Sequence, residues 1–404
     1  MRAYERFLEY VKINTEASDT SGAHPSTDVQ KILAQRLCAE LKELGCKDAI
    51  VTNNAYVYAS IPASKGCENA KALGLIAHLD TAPAFSGADI KPILHENYDG
   101  KDIVLPKCGR VISAAQFPFL QGMRGKTVIT ADGSTLLGAD DKAGVAEIMT
   151  LVERVLKQDI KHGKLCIAFT PDEEIGEGAD LFDVKAFGAD YAYTMDGDLV
   201  GGIEYENFNA AAATLNVQGV SVHPGSAKDI MVNALSLVCE AHSMLPQSEV
   251  PECTEGREGF YMVEKICGDT ASAKAEYIIR DHSAIKFAEK KANLQRIKDE
   301  LSAKYPTASI SLEIKDSYYN MIEKIEPVMF LIDNAKAAAE AVGETPRISA
   351  IRGGTDGARL SYMGLPCPNL GTGGANFHGP YELIAKEDMD KAVDMLEKLI
   401  QKFI

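Results

Sequence analysis

Leu165-Cys166-Ile167-Ala168-Phe169-Thr170-Pro171-Asp172-Glu173-Glu174 is an apolar run that stops on a cluster of acids. The run predicts a strand, and Glu173 and Glu174 at its end are like charges that only a cation or a proton makes tolerable. Three other strand-like runs end on the same residue types. Residues 73–77 lead into His78-Leu79-Asp80, residues 191–195 into Asp196, and residues 366–370 through a glycine-rich loop to His378. In an open α/β sheet the carboxyl ends of the strands form the ligand crevice. These acids and histidines are therefore expected to converge on one site.

The rest of the chain alternates in a way that suits such a sheet. A helix is expected after Pro25-Ser26-Thr27, with Val29, Ile32, Leu33, Leu37, Leu41 and Leu44 on one face and Gly45 as its stop. Strands are expected near residues 55–61 and 72–77, and a long helix opens at Asp140-Asp141. Late helices are expected near residues 326–342, 356–363 and 386–402. The fold class is α/β, a mainly parallel sheet with helices on both faces. Between Phe208 and Tyr319 the rhythm changes to strand 212–219, helix 227–245, strands 259–267 and 274–279, helix 283–304 and strand 308–314. That β-α-β-β-α-β order is ferredoxin-like. The chain thus divides into a catalytic domain in two parts, residues 1–208 and 320–404, and an inserted α+β lid domain, residues 209–319.

Composition narrows the partners. With 404 residues and 46% hydrophobic content the chain can fill two cores. Its formal charge of −16, from 42 basic and 58 acidic residues, speaks against nucleic acid and anionic membrane. No apolar run is long enough to span a bilayer, and the first residues begin an amphipathic pattern without a signal-peptide core. Nine cysteines without a Cys-x-x-Cys pair suggest reduced thiols in a cytoplasmic enzyme, most of them buried filler, as at Cys38, Cys166 and Cys239.

Each element of the acid–histidine set has an ordinary explanation when taken singly. His78-Leu79-Asp80 could be a surface histidine beside an acid, Asp140 a helix cap, Glu173-Glu174 a solvated loop, and Asp196 and His378 turn residues. Jointly they make a metal constellation. One cation held by His78, Asp140 and Asp196 and a second held by Asp140, Glu174 and His378 would share the Asp140 carboxylate. Three carboxylates and a bridging hydroxide then balance two divalent ions, as a partly buried site requires. Oxygen and nitrogen donors without thiolate suit two Zn²⁺, with Co²⁺ or Mn²⁺ as substitutes. Asp80, on the same side of an extended segment as His78, would orient that imidazole. Glu173 is left to move the proton of an activated water.

These blocks, His78-Leu79-Asp80-Thr81, Gly138-Ala139-Asp140-Asp141-Lys142-Ala143-Gly144, Thr170-Pro171-Asp172-Glu173-Glu174 and Asp196-Gly197, resemble the metal-site motifs of the M20 dinuclear zinc peptidases. Further stretches, among them Glu206-Asn207-Phe208-Asn209-Ala210-Ala211, His223-Pro224-Gly225, Asp316-Ser317-Tyr318-Tyr319-Asn320-Met321 and Ile351-Arg352-Gly353-Gly354-Thr355-Asp356, are similar to that family's tripeptide aminopeptidases. The resemblance runs from about Arg6 to the C-terminus. It implies His78, Asp140, Glu174, Asp196 and His378 as ligands, Glu173 as general base, Asp80 behind His78, and a cis peptide after Asp140. It also implies that His223 supports the oxyanion, from its own subunit or across a homodimer formed through the lid domain. Arg280 resembles the family's substrate-contacting arginine, and Arg352 either serves in the same way or holds its glycine turn. The implied activity is a cytoplasmic metallo-aminopeptidase acting on short peptides, tripeptides foremost, with the lid closing over bound peptide. The competing readings are an M20 carboxypeptidase or N-acyl-amino-acid deacylase, and a non-catalytic peptide binder on the same scaffold.

Overall fold

A computed structural model describes all residues 1–404. The chain forms two compact units: Met1–Tyr205 with Glu323–Ser349 and Thr355–Ile404, and Glu206–Ile322 with Ala350–Gly354. The first is built on an eight-stranded sheet. Its order is Ile50–Val51, Val57–Ile61, Leu165–Thr170, Leu73–His78, Tyr191–Gly197, Asn369–Gly371, Gly202–Asn207 and Arg347–Ile351.

The four central strands run parallel, and antiparallel neighbours flank them on both sides. Leu73–His78 and Leu165–Thr170 are buried along their whole length. A strand covered on both faces has no reason to alternate, so its sequence reads as an unbroken apolar run. Parallel pairing also brings the carboxyl ends of these four strands to one edge, and the acids and histidines follow those ends.

Helices cover the sheet. Gln30–Leu44 buries Leu33, Ala34, Leu37, Cys38 and Leu41, whereas Ile32 is 56% exposed. The expected stripe included Ile32. The buried arc instead turns toward Ala34 and Cys38, one position after Leu33 and Leu37, which leaves Ile32 on the opposite side. The helix Ala139–Lys157 buries almost every residue of its first four turns. Its regular part begins at Lys142, because Asp140 (φ −83, ψ 105) and Asp141 (φ −121, ψ 30) are not helical and the peptide between them is cis. Residues 83–137, for which periodicity predicts no element, contribute Ile93–His95 and Val128–Thr130 to a small second sheet with Leu383–Ala385 and Gly374–Ala375. That sheet carries the two ends of the His378 loop.

Glu147 is an exception inside this core. It is fully buried and neither carboxylate oxygen has a hydrogen-bond partner. Burial, with Asp388 and Asp390 adding to it, raises its carboxyl well above the ordinary range. The folded state therefore takes up a proton, and the cost of keeping this acid grows as pH rises above its unfolded value. Glu147→Met is expected to stabilise the fold, by about 1.4 kcal/mol more for each pH unit above about 4.3 while the folded carboxyl stays protonated. Denaturant unfolding at two pH values checks this; a gain independent of pH would rule out the protonated acid.

The second unit is an antiparallel sheet ordered Phe260–Gly268, Ser272–Asp281, Asn209–Gln218 and Ser309–Tyr318, with helices Ala234–Ser243 and Ala284–Lys304 packed on it. The first helix starts seven residues later than the expected 227. Asn233 caps it by accepting from the amides of Leu235 and Ser236, and Val232 is occupied in a bridge to Val220. Of the nine cysteines, only Cys38, Cys46, Cys166 and Cys367 are buried. The expectation that most are core filler therefore fails, and Cys239 lies on the outward side of its helix. No helix is long and apolar enough to cross a membrane.

Candidate metal centre

The central strands deliver their terminal residues to one place in the first unit. His78 closes the strand Leu73–His78 and is 2% exposed. Its Nδ1 lies 3.1 Å from the carbonyl of Asp80 and 3.4 Å from that residue's carboxylate. With Nδ1 donating there, Nε2 points into the site, 2.8 Å from Asp140 Oδ1 and 3.3 Å from Asp196 Oδ1. The two Asp80 oxygens are mainly used otherwise. They accept the backbone amides of Glu173 and Glu174, each at 3.1 Å. Asp80 thus ties the histidine strand to the turn that carries both glutamates.

Asp140 lies at the centre of the group. Its Oδ1 faces His78 and its Oδ2 lies 3.1 Å from His378 Nε2. His378 Nε2 is also 2.9 Å from Glu174 Oε2. Asp141, its neighbour, turns away. It accepts the amides of His78 (3.1 Å) and Gly144 (3.2 Å) and so fixes the turn from behind. Gly144 is required there, since a Cβ would sit 2.1 Å from the carbonyl oxygen of Met195. Asp196 is aimed by its own amide, which donates to Asn369 Oδ1, and Asn369 in turn donates to Glu204.

The glutamate turn is held at its first residue. Asp172 adopts a left-handed conformation (φ 58) and is fully buried. It accepts from Ser26 N (2.8 Å), Ser26 Oγ (2.5 Å) and Gln30 Nε2 (2.6 Å), and donates its amide to Gln30 Oε1 (3.2 Å). Asp172, Ser26, Gln30 and Asn369 were not singled out from the sequence as part of the site. The only signal for Asp172 was its place inside the acid cluster.

The electrostatics are those of crowded acids. Burial pushes the Glu174 carboxyl up to about 7 and that of Asp196 up to about 8, with the charge of Asp140 adding to both. Burial also raises Glu173 well above the usual range, and Asp196 adds to it. Burial opposes ionisation of Asp140, yet hydrogen bonds from His378 and His78 bring it below the usual carboxylate range. Hydrogen bonds to Asp140 and Glu174 lift His378 to about 11.

These residues fit divalent cations. His78, Asp140 and Glu174 offer ligand atoms within 4.8 Å of one another; the Asp141 carboxylate comes as near to His78 and Asp196, but both its oxygens are already engaged by the amides of His78 and Gly144. Glu174 Oε1 is buried with no partner in the protein. The donors are imidazole nitrogen and carboxylate oxygen, with no thiolate among them.

The family model described as "Peptidase family M20/M25/M40" matches residues 124–402. The chain belongs to this peptidase family. Peptidase T of Clostridium novyi (strain NT) is 53% identical over 400 residues, covering 98% of each chain. Two solved structures share the fold over the whole chain and 98% of theirs, both at a TM-score of 0.78. They are an aminopeptidase PepT from Bacillus cereus ATCC 10987, 21% identical, and a tripeptidase from Staphylococcus aureus subsp. aureus Mu50, 20% identical. Within the M20 peptidases the chain stands with peptidase T, and it is a hydrolase acting on peptides.

The remaining residues named from the sequence belong to the second unit of this peptidase. His223 is exposed and its Nδ1 accepts the amide of Gly225 at 3.1 Å, which leaves Nε2 unengaged. Arg280 donates from Nη1 to the carbonyl of Arg352 at 3.0 Å, and its buried Nε has no partner. Arg352 is differently placed. It donates to the carbonyls of Gly256, Glu258 and Thr254 and to the Thr254 hydroxyl, and its guanidinium lies over Phe208 and Phe260. Its donors therefore hold the loop at residues 254–258.

Proposed function

We propose that this peptidase removes the N-terminal residue of short peptides, tripeptides foremost, with a pair of divalent cations held by His78, Asp140, Glu174, Asp196 and His378. The observation that carries the reading is Asp140, which presents one carboxylate oxygen to each histidine. Zinc is the resident metal in this reading, with cobalt or manganese able to replace it. Bound there, such a pair supplies a water acidic enough to attack at neutral pH and polarises the scissile carbonyl.

The chain's own residues do the rest. Glu173 has no hydrogen bond or ion pair to its carboxylate, while its amide is fixed by Asp80. It is therefore free to take a proton from the attacking water and return it to the leaving amine. Burial keeps its proton affinity high, which suits a base that must also act as an acid. Glu174, next in the chain, is turned toward His378 and serves as a ligand. Arg280 keeps guanidinium donors suited to a peptide carboxylate, and His223 an imidazole nitrogen suited to a developing oxyanion. Nine unpaired cysteines support a cytoplasmic setting.

Product analysis on di-, tri- and tetrapeptides with free and blocked ends tests this, repeated after chelation and metal return. Release of the N-terminal residue from free tripeptides is expected, with loss on chelation and recovery with zinc. Release of the C-terminal residue, or turnover of acylated amino termini alone, would overturn the aminopeptidase reading.

A further inference from the structure

Glu382 follows His378 by four residues, at the start of the strand Leu383–Ala385. It is 1% exposed and makes no ion pair. Three backbone amides donate to it instead. Those of Leu137 and Gly138 reach Oε2 at 2.7 and 2.8 Å, and that of Asp140 reaches Oε1 at 3.0 Å. The amides converge because Gly138 is left-handed (φ 78, ψ 27), which curls successive N–H groups into an anion-binding concavity. The occupant of that concavity is a side chain from a distant part of the sequence.

Both ends of this contact touch the metal centre. At one end, Glu382 fixes the N–H of Asp140, the residue whose two oxygens face His78 and His378. At the other, the Glu382 amide donates to the Gly379 carbonyl at 3.3 Å and closes the turn just after His378. His378 needs such a tether. Its side chain is 51% exposed and its backbone is left-handed (φ 62), whereas His78 and Asp196 sit within strands of the main sheet. No other side chain joins the Asp140 turn to the His378 segment by more than one hydrogen bond.

We infer that Glu382 is a positioning residue of the centre, holding Asp140 and His378 at the spacing that lets them share one cation. The inference rests on the two-cation reading above. A carboxylate that merely caps the helix after Asp141 would contribute to stability and leave metal affinity alone. A positioning residue acts mainly on the cation of Asp140, Glu174 and His378, because the other, although it shares Asp140, keeps His78 and Asp196 on strands of the main sheet.

The test titrates cobalt(II) alone into metal-free full-length protein, followed by calorimetry and visible absorption, for the wild type, Glu382→Gln, Glu382→Ala and His378→Ala. The wild type is expected to bind two cobalt ions. Glu382→Ala is expected to weaken one of them by about 10- to 100-fold, as loss of a group behind a ligand does, and to leave the other within about threefold. Glu382→Gln should fall between, since its oxygen still serves Leu137 and Gly138 while its amide nitrogen faces the Asp140 N–H. The ion weakened should be the one that His378→Ala removes, judged by which absorption band is lost. Should the alanine chain not fold, the isosteric glutamine chain carries the test. Wild-type affinity for both ions in Glu382→Gln would overturn the positioning role. A wild type that binds fewer than two ions would overturn the two-cation reading instead.

Discussion

Glu173→Ala is expected to bind metal as the wild type does and to lose about 10²- to 10⁴-fold in kcat, the usual worth of a positioned proton-transfer group. The expectation follows from how the turn divides its two acids. Asp80 accepts both backbone amides, so the turn keeps its shape when either side chain is cut back. Glu174 is 2.9 Å from His378, whereas the Glu173 carboxylate engages no protein group. Removing it costs the centre no ligand and the turn no anchor. Metal content and single-turnover kinetics on a tripeptide check the two halves separately. A Glu173→Ala chain that lost metal while Glu174→Ala kept it would reverse the assignment of the pair.

Asp140→Ala is expected to be more damaging still, with hydrolysis abolished and metal content reduced from two ions to at most one. In the proposed centre each other ligand serves one cation, whereas Asp140 presents an oxygen to each histidine. Asp140→Asn separates the two effects. The amide keeps one acceptor oxygen and turns a donor toward the other histidine, so one cation should remain. Elemental analysis after gel filtration decides the matter, and two ions retained by Asp140→Ala would refute the shared carboxylate.

What was legible beforehand was the set of strand ends. Buried parallel strands must be apolar throughout, so their polar terminators stand out in sequence, and parallel topology brings them together. Asp140 was named from the sequence as the shared carboxylate, but what Asp141 does was not legible. It depends on the backbone of that turn, which sends one carboxylate into the site and the other back to the amides of His78 and Gly144. The supporting residues were hidden for a different reason. Gln30 meets Asp172 across 142 positions, and Glu382 meets Leu137 across 245. A glutamine near a helix start and a glutamate before a strand carry no local mark of such partners. In the same way, the later start at Ala234 depends on a bridge between Val220 and Val232 that periodicity does not register.

Irregular surface segments near a chain's start are ordinarily where insertions, deletions and nicks are absorbed without penalty. Residues 17–29 have almost no regular structure, yet Ser26 within them, with Gln30 of the helix that follows, closes on Asp172, the residue that precedes the general base of the proposed mechanism. Lengthening or shortening this segment would move a latch on the reactive turn. For evolution and for protein engineering alike, the stretch that looks most expendable at this end of the chain is among the least.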